Sequence, residues 1–427
     1  MRKRSRKKRK SSIIFFVIII IIVLLISTYI IYNLKEQKIE NMHENKIAEI
    51  KKHYAKNVIM NKLTDLYEKD NDKYIKTSMI QTDEIVSLEE KEDFNYTDEY
   101  FKITTFDKDY YVYYKDVDAT DITPKYSERY KSYIPFNKNI TTKEEISLYD
   151  ENENLIYKFK NKLDLPIIIN NTDLYGVEYN NRLLYIMPSD IENIYDNNNG
   201  EKKNTPGIAV LNYHFFYDAN DPSDASSCNQ IICLSTTRLK KHLDYIKNNN
   251  IFTPTMKELE MYIDGVLQLP KSVVLTIDDG WRADIGSNIM NDYGINATVF
   301  IVSNDYDPNP YEKEYIEVHS HSHSLHTPGA CPGGQGGGIK CLEKSKLLED
   351  LAASRAKLHN TTVFCYPFYE YNNYSIEVLK EAGFTMAFGG YGENGIYKVK
   401  PGANKYKLPR YIIYSNTTEK DIASYIG

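Results

Sequence analysis

An unbroken apolar run, Ile13 to Tyr32 (IIFFVIIIIIVLLISTYIIY), is the first pattern along the chain and holds no charged residue. Twenty helical residues span about 30 Å, the hydrocarbon thickness of a bilayer. The run predicts a transmembrane helix over 13–32. A cleaved signal peptide is the alternative, but such peptides have an apolar core of about 7–15 residues and a small-residue cleavage site, whereas this run ends in STYIIYN. Residues 33–72 are charged and lack Gly and Pro, with Ile39, Met42, Ile47, Ile50 and Tyr54 at three- to five-residue steps. That spacing predicts a juxtamembrane helical stalk, too irregular for a coiled coil. Residues 73–195 alternate differently. Short Tyr-, Ile- and Val-rich runs (YFKITTF, YYVYYKDV, NLIYKF, LPIII, RLLYIM) are separated by Asp/Asn/Gly turns, the pattern of one or two small antiparallel β domains.

Within that region, LPIIINNTDLYGVEYNNRLLYI resembles the closing part of the small Src-homology-type barrels that bacteria append to wall enzymes. A wall-associated module and a rigid spacer are equally good readings of it. The polar stretch 196–206 (DNNNGEKKNTP) predicts a linker. From 207 to 427 strand-like and helix-like segments alternate: GIAVLNY, TTRLKKHLDYIKNNN, SVVLTI, a helix near 283–293, ATVFIV, YIEV, a helix over 343–358, TVFCYP and YSIEVLKEAGF. The expected fold class is therefore α/β: a parallel sheet or barrel with outer helices, its chemistry at the C-terminal strand ends.

Charge sharpens the orientation. The chain has 53 Lys/Arg and 59 Asp/Glu, a net charge of −6. Residues 2–10 (RKRSRKKRK) carry eight of the basic residues, so everything after them sums to −6 − 8 = −14. Such a body repels phosphate, so no nucleic acid is expected as partner. The basic tail, residues 1–12, is expected to stay cytoplasmic, leaving the body extracellular on a single-pass anchor in the cell membrane.

Two clusters carry candidate chemistry. Asp278 and Asp279 follow the apolar VVLTI, and adjacent carboxylates at a buried strand end need a positive partner. An Asp-Gly turn capping the next helix is the structural alternative. Four of the nine histidines fall within eight residues, His319, His321, His323 and His326, after the strand YIEV. A surface tract is the plain reading, yet two imidazoles and a carboxylate also form a metal site with positions left for water and substrate.

Together TIDDG, HSHSLH and FCYPFYEYN resemble the polysaccharide deacetylase family, the NodB-homology carbohydrate esterases, over about 207–425, and most closely the biofilm poly-N-acetylglucosamine deacetylases. The resemblance implies a distorted (β/α) barrel and hydrolysis of N-acetylglucosamine amides in an extracellular polymer, either poly-N-acetylglucosamine or peptidoglycan of the cell wall, with release of acetate. It implies a divalent metal ion, zinc being the expected identity, held by Asp279, His321 and His326. Asp278 is implied as the base, and the backbone N–H of Phe368 as an oxyanion donor. The family's C-terminal acid His is missing, since no His follows His359, but Tyr213-His214 fits the permuted order and makes His214 the candidate acid. A packed strand-end His is the alternative there.

Two departures stand out. The family's Arg is replaced in Cys365-Tyr366-Pro367, and Tyr369 stands where Gly is usual. Arg410, in KLPRYIIY, is the candidate for the lost charge, as partner of the base. Of five cysteines, Cys228/Cys233 and Cys331/Cys341 are candidate short-loop disulfides suited to an oxidising exterior. Structural zinc is the alternative, and Cys365 is left over. The Gly-rich PGGQGGGIK lacks the GK[ST] of a nucleotide loop, so no nucleotide is expected. HExxH and GxSxG are absent, which disfavours a metallopeptidase and a serine esterase. A catalytically silent glycan-binding or sensor protein on the same fold is the competing function.

Overall fold

The computed structural model describes residues 2–90, 96–124, 128–197, 207–390, 392, 395 and 397–427, without the side chains of 2–12. The expected linker falls largely on 198–206, outside the described residues. The chain divides into two compact units: Met1–Tyr126, Thr142–Leu163 and Tyr179–Tyr185 in the first, Ser127–Thr141, Asp164–Glu178 and Ile186–Gly427 in the second.

The first unit opens with one helix, Arg2–His53. From Ile13 it is apolar and long enough to cross a bilayer, a condition that a membrane anchor and a signal sequence both meet. Its last turns are anchored, with Ile50 fully buried and His53 Nδ1 2.6 Å from the Val117 carbonyl. The stalk predicted over 33–72 is helical only to His53. Beyond it Asn57–Met60 and Thr64–Asp70 are strands. Alternation wins there: Thr64 and Leu66 are buried beside partly exposed neighbours, and Asn71 takes the left-handed turn (φ 54°) that returns the chain into Lys73–Ile80. Within this unit Asn57–Met60 lies antiparallel between Ile85–Ser87 and Val117–Thr120. A second sheet orders Arg182–Ile186, Ile146–Tyr149, Leu155–Phe159, Lys73–Ile80, Thr64–Asp70, Tyr110–Tyr113 and Tyr100–Ile103.

The second unit also takes in residues 127–141, 164–178 and 186–195 of the expected β region. Residues 129–134 are tied to this unit by a half-buried ion pair: Arg129 Nε lies 2.6 Å from Glu258 Oε1, which also accepts from the Tyr133 hydroxyl, and Ile134 N donates to Gln268 O. Glu258 simultaneously closes the capping box of helix Met256–Ile263 with Thr255.

The rest of this unit is a distorted α/β barrel. Its strands are β1 (Ile208–Tyr213), β2 (Val273–Ile277), β3 (Ala297–Ile301), β4 (Ile316–Ser320), β5 (Val363–Cys365) and β6 (Met386–Phe388), each parallel to the next. Every residue of β1, β2 and β3 is buried, as parallel strands covered on both faces require. The ring is closed irregularly. Residues 405–413 hydrogen-bond to the β6 side through Gly389 N to Leu408 O (2.9 Å) and Arg410 N to Gly390 O (2.7 Å). The same segment supplies β7 (Tyr411–Ile412), which pairs with β1 at Leu211 and Asn212. Helices Thr236–Asn248, Ala283–Asp292, Lys344–Lys357, Asn373–Glu381 and Glu419–Ile426 surround the strands.

Candidate active site

The side chains that matter sit at or just beyond the C-terminal ends of the barrel strands, around a cavity of about 620 Å³. Past β2, Asp278 stays inside the barrel, 1% exposed. Asp279 then turns left-handed (φ 76°), and Gly280 follows at φ 98°, where a Cβ would lie 2.6 Å from the Tyr306 ring. That reversal lets two consecutive carboxylates serve different neighbours.

Asp279 Oδ1 is 3.2 Å from His321 Nε2 and 3.2 Å from His326 Nε2, and one donor atom from each of these residues lies within 4.8 Å of the others. The other histidines of the tract face elsewhere. His319 Nδ1 meets Thr361 Oγ1 at 2.7 Å, and His323 Nδ1 meets Ser303 Oγ at 3.0 Å. Ser322 is left-handed (φ 73°), and Asp350 accepts from the backbone N–H of His323 and Ser324, so the tract is a shaped loop.

The chemistry of this donor set fits a cation. His321 Nδ1 lies 2.9 Å from the Cys365 carbonyl, which can only accept, so Nδ1 carries a proton. In the neutral ring Nε2 then presents a lone pair to the Asp279 carboxylate. Two lone pairs facing each other at 3.2 Å need a positive charge between them, and a ring nitrogen oriented by a carbonyl behind it is the usual setting of a metal-ligating His.

Asp278 has a different partner. Arg410, fully buried, straddles it with Nη1 at 2.8 Å from Oδ1 and Nη2 at 2.9 Å from Oδ2. Gly389 O and Thr276 Oγ1 hold the guanidinium from other sides. Burial alone would push the Asp278 carboxyl up; the guanidinium more than reverses this and holds it below the usual carboxylate range. Cys365, the leftover cysteine, is buried with Sγ 3.1 Å from Arg410 Nη2 and 3.4 Å from Asp278 Oδ2. Burial pushes its thiol well above the ordinary value. Where the motif lacks its arginine on β5, a guanidinium thus arrives from the closing segment.

His214 ends β1 at the cavity, and burial pushes its imidazole down, which makes the protonated ring a stronger acid. Phe368 (φ 58°) and Tyr369 (φ 62°) are consecutive left-handed residues after β5, with the Phe368 ring 4.3 Å from that of His326. Sequence reasoning treated Tyr369 only as a problem for backbone angles. Its hydroxyl in fact lies 2.9 Å from His214 Nε2 and 3.0 Å from Asn212 Oδ1. Asn212 was missed as well, although one fully buried amide in the apolar strand IAVLNY was a legible signal.

Two loops, each closed by a disulfide, complete the rim. Cys228–Cys233 carries Gln230 and Ile232 to the cavity, and Cys331–Cys341 carries Gln335. Glu370 clamps the second loop, accepting from Gln335 N (2.5 Å) and Gly337 N (2.8 Å) and pairing with Lys340.

Residues 268–387 match the family model for polysaccharide deacetylases. This part of the chain is a polysaccharide deacetylase domain, and the protein that carries it is a deacetylase. The match spans both aspartates, the histidine tract and the β5 turn; His214 and Arg410 lie outside it. Among solved structures, the chain is similar to a de-N-acetylase from Aggregatibacter actinomycetemcomitans (21% identity, 51% of this chain and 99% of that one, TM-score 0.43). It is similar to IcaB from Ammonifex degensii (19%, 52% and 97%, 0.43) and to a polysaccharide deacetylase from Bacillus cereus (13%, 78% and 98%, 0.41). No curated protein matches the chain.

Proposed function

We propose that the protein is a membrane-anchored hydrolase that removes acetyl groups from N-acetylglucosamine units of an extracellular polymer, poly-N-acetylglucosamine or peptidoglycan. The observation that carries this reading is the meeting of Asp279, His321 and His326 beside an Asp278 carboxylate braced by Arg410. In this reading those three residues hold a divalent cation, zinc by the His/carboxylate chemistry of the donors. When bound, such an ion acts as a Lewis acid on the acetyl carbonyl and acidifies water.

The chain's own residues do the rest. Asp278, kept ionised by Arg410, takes the proton of the attacking water on Oδ1, which retains a lone pair beyond its bond to the guanidinium, whereas Oδ2 faces both Arg410 and the Cys365 thiol. Asp279 cannot share that task while it faces two imidazoles. The backbone N–H of Phe368 is the assigned donor to the oxyanion, and His214 is the source of the proton that the departing amine requires. The eight basic residues ahead of the apolar helix support an N-terminus held in the cytoplasm, with the catalytic unit outside, where both disulfides persist.

Acetate release from N-acetylglucosamine oligomers and from peptidoglycan fragments, measured on the full chain in detergent with and without a chelator, tests the proposal. Release from one glycan, abolished by chelator and restored by zinc, is expected. Undiminished release in chelator overturns the metal assignment, and no release from either glycan overturns the substrate class.

A further inference from the structure

We infer that the Tyr369 hydroxyl, rather than His214 directly, hands the proton to the departing amine. The inference rests on the reading of His214 as the proton source and deepens it.

His214 borders the cavity, but one of its ring nitrogens is buried and the other is already bonded. The residue is 7% exposed, and Nδ1 is buried without a hydrogen-bond partner among the described residues. The other nitrogen, Nε2, is occupied by the Tyr369 hydroxyl at 2.9 Å. Tyr369 itself lines the cavity together with Asp278, Asp279, His321 and His326. A proton leaving His214 toward the substrate therefore meets this hydroxyl first.

The hydroxyl's second neighbour gives the wire a direction. Asn212 Oδ1, 3.0 Å away, can only accept, so the hydroxyl proton points to Asn212 and an oxygen lone pair receives Nε2–H. Asn212 thus holds the transferable proton while no substrate is present. The backbone supports a selected role: a tyrosine is kept at φ 62°, directly after Phe368 at φ 58°, in a conformation glycine would adopt freely. The Arg410 guanidinium, 5.5 Å from the ring centroid, fixes the ring from the barrel side.

The step balances. Water gives one proton to Asp278 and its oxygen adds to the acetyl carbon. The C–N bond then breaks with its electron pair going to nitrogen. The Tyr369 O–H proton moves to that nitrogen while the phenolic oxygen takes the Nε2 proton of protonated His214. Acetic acid and a free amine leave and exchange a proton to become acetate and ammonium, and solvent restores the proton on His214 and removes the one on Asp278.

The test exploits leaving groups. An amine needs a proton to depart, whereas 4-nitrophenolate departs as an anion. Wild type, Tyr369→Phe and His214→Ala, each as the full chain in detergent, are compared on N-acetylglucosamine oligomers and on 4-nitrophenyl acetate. Tyr369→Phe is expected to lower kcat on the oligomer about 100-fold with KM nearly unchanged, and to lower the ester rate by no more than about threefold. His214→Ala is expected to show the same split, and the ester rate reports in both variants that the site is folded and loaded. A parallel loss of amide and ester rates in Tyr369→Phe would make the tyrosine a shaping residue and overturn the inference. Full amide activity in Tyr369→Phe with loss in His214→Ala would mean that His214 delivers the proton itself. Full amide activity in His214→Ala overturns both the relay and the acid assignment beneath it.

Discussion

Left-handed backbone occurs in both units, and it is put to different uses. In the first unit the non-glycine residues with positive φ are Asn71, Asp83, Glu145, Glu153, Asn180 and Asn181. Most are short and polar, and Asn71 and the Asn180–Asn181 pair sit in turns between successive strands, where an Asn side chain tolerates this conformation. At the barrel mouth the positions are Asp279, Ser322, Phe368 and Tyr369. These lie at or beside cavity-lining side chains, and two of them are aromatics for which the conformation costs about 1–3 kcal/mol each. The first set closes turns. The second aims side chains that regular strand geometry would send elsewhere. The two left-handed aromatics, Phe368 and Tyr369, both line the cavity, whereas the left-handed asparagines of the first unit sit in turns.

Substitutions can break this contrast. The largest effect is expected at Asp278→Asn, which should lower acetate release by about 10²–10⁴-fold while metal content, measured on the purified variant, stays at the wild-type level. Loss of metal in step with activity would mean that the two aspartates have exchanged roles. Arg410→Met leaves the Asp278 charge buried without its partner. A destabilisation of about 3–5 kcal/mol in urea unfolding is expected, together with loss of turnover. A stable, active Arg410→Met protein would show that the guanidinium matters to neither.

A buried group away from the mouth gives a smaller, pH-dependent effect. His242 is fully buried, its Nε2 3.1 Å from the Thr417 carbonyl and its Nδ1 3.2 Å from the Tyr213 hydroxyl, and burial lowers its pKa to about 4. The unfolded state, titrating near 6.5, binds the extra proton first. Stability contributed by neutral His242 is therefore complete above pH 6.5 and lost as pH falls toward 4, by about 1.4 kcal/mol per unit. Unfolding curves across that window should flatten in His242→Gln; an unchanged slope would assign it to other groups. The smallest effect is expected at Asn71→Gly, within about 0.5 kcal/mol and without change in turnover, because glycine meets the same turn angle. A large loss there would erase the distinction between the two sets.

Legibility in the sequence followed the range of the interaction. The parallel strands of the barrel were readable because burial on both faces leaves unbroken apolar runs such as VVLTI and ATVFI. The pairings Cys228–Cys233 and Cys331–Cys341 were legible as candidates because each closes a short loop. The strand Thr64–Asp70 was misread as helix, since its charged composition hid an alternation that only its pairing partner Lys73–Ile80 reveals. Likewise Arg129, Tyr133 and Glu258 join segments more than a hundred residues apart, so the boundary of the catalytic unit could not be found from local composition.

By itself the sequence determined the local grammar: an apolar helix of bilayer length, strand–helix alternation, and the two motifs TIDDG and HSHSLH with their residue types. The tertiary structure alone decided which histidines turn toward Asp279, that Arg410 reaches Asp278 across 132 residues, and that Tyr369 meets His214 across 155. The physical reason is closure of the barrel. Covalent neighbours fix a strand and its turn, but which side chains share one buried volume depends on how distant strand ends are brought around a common axis.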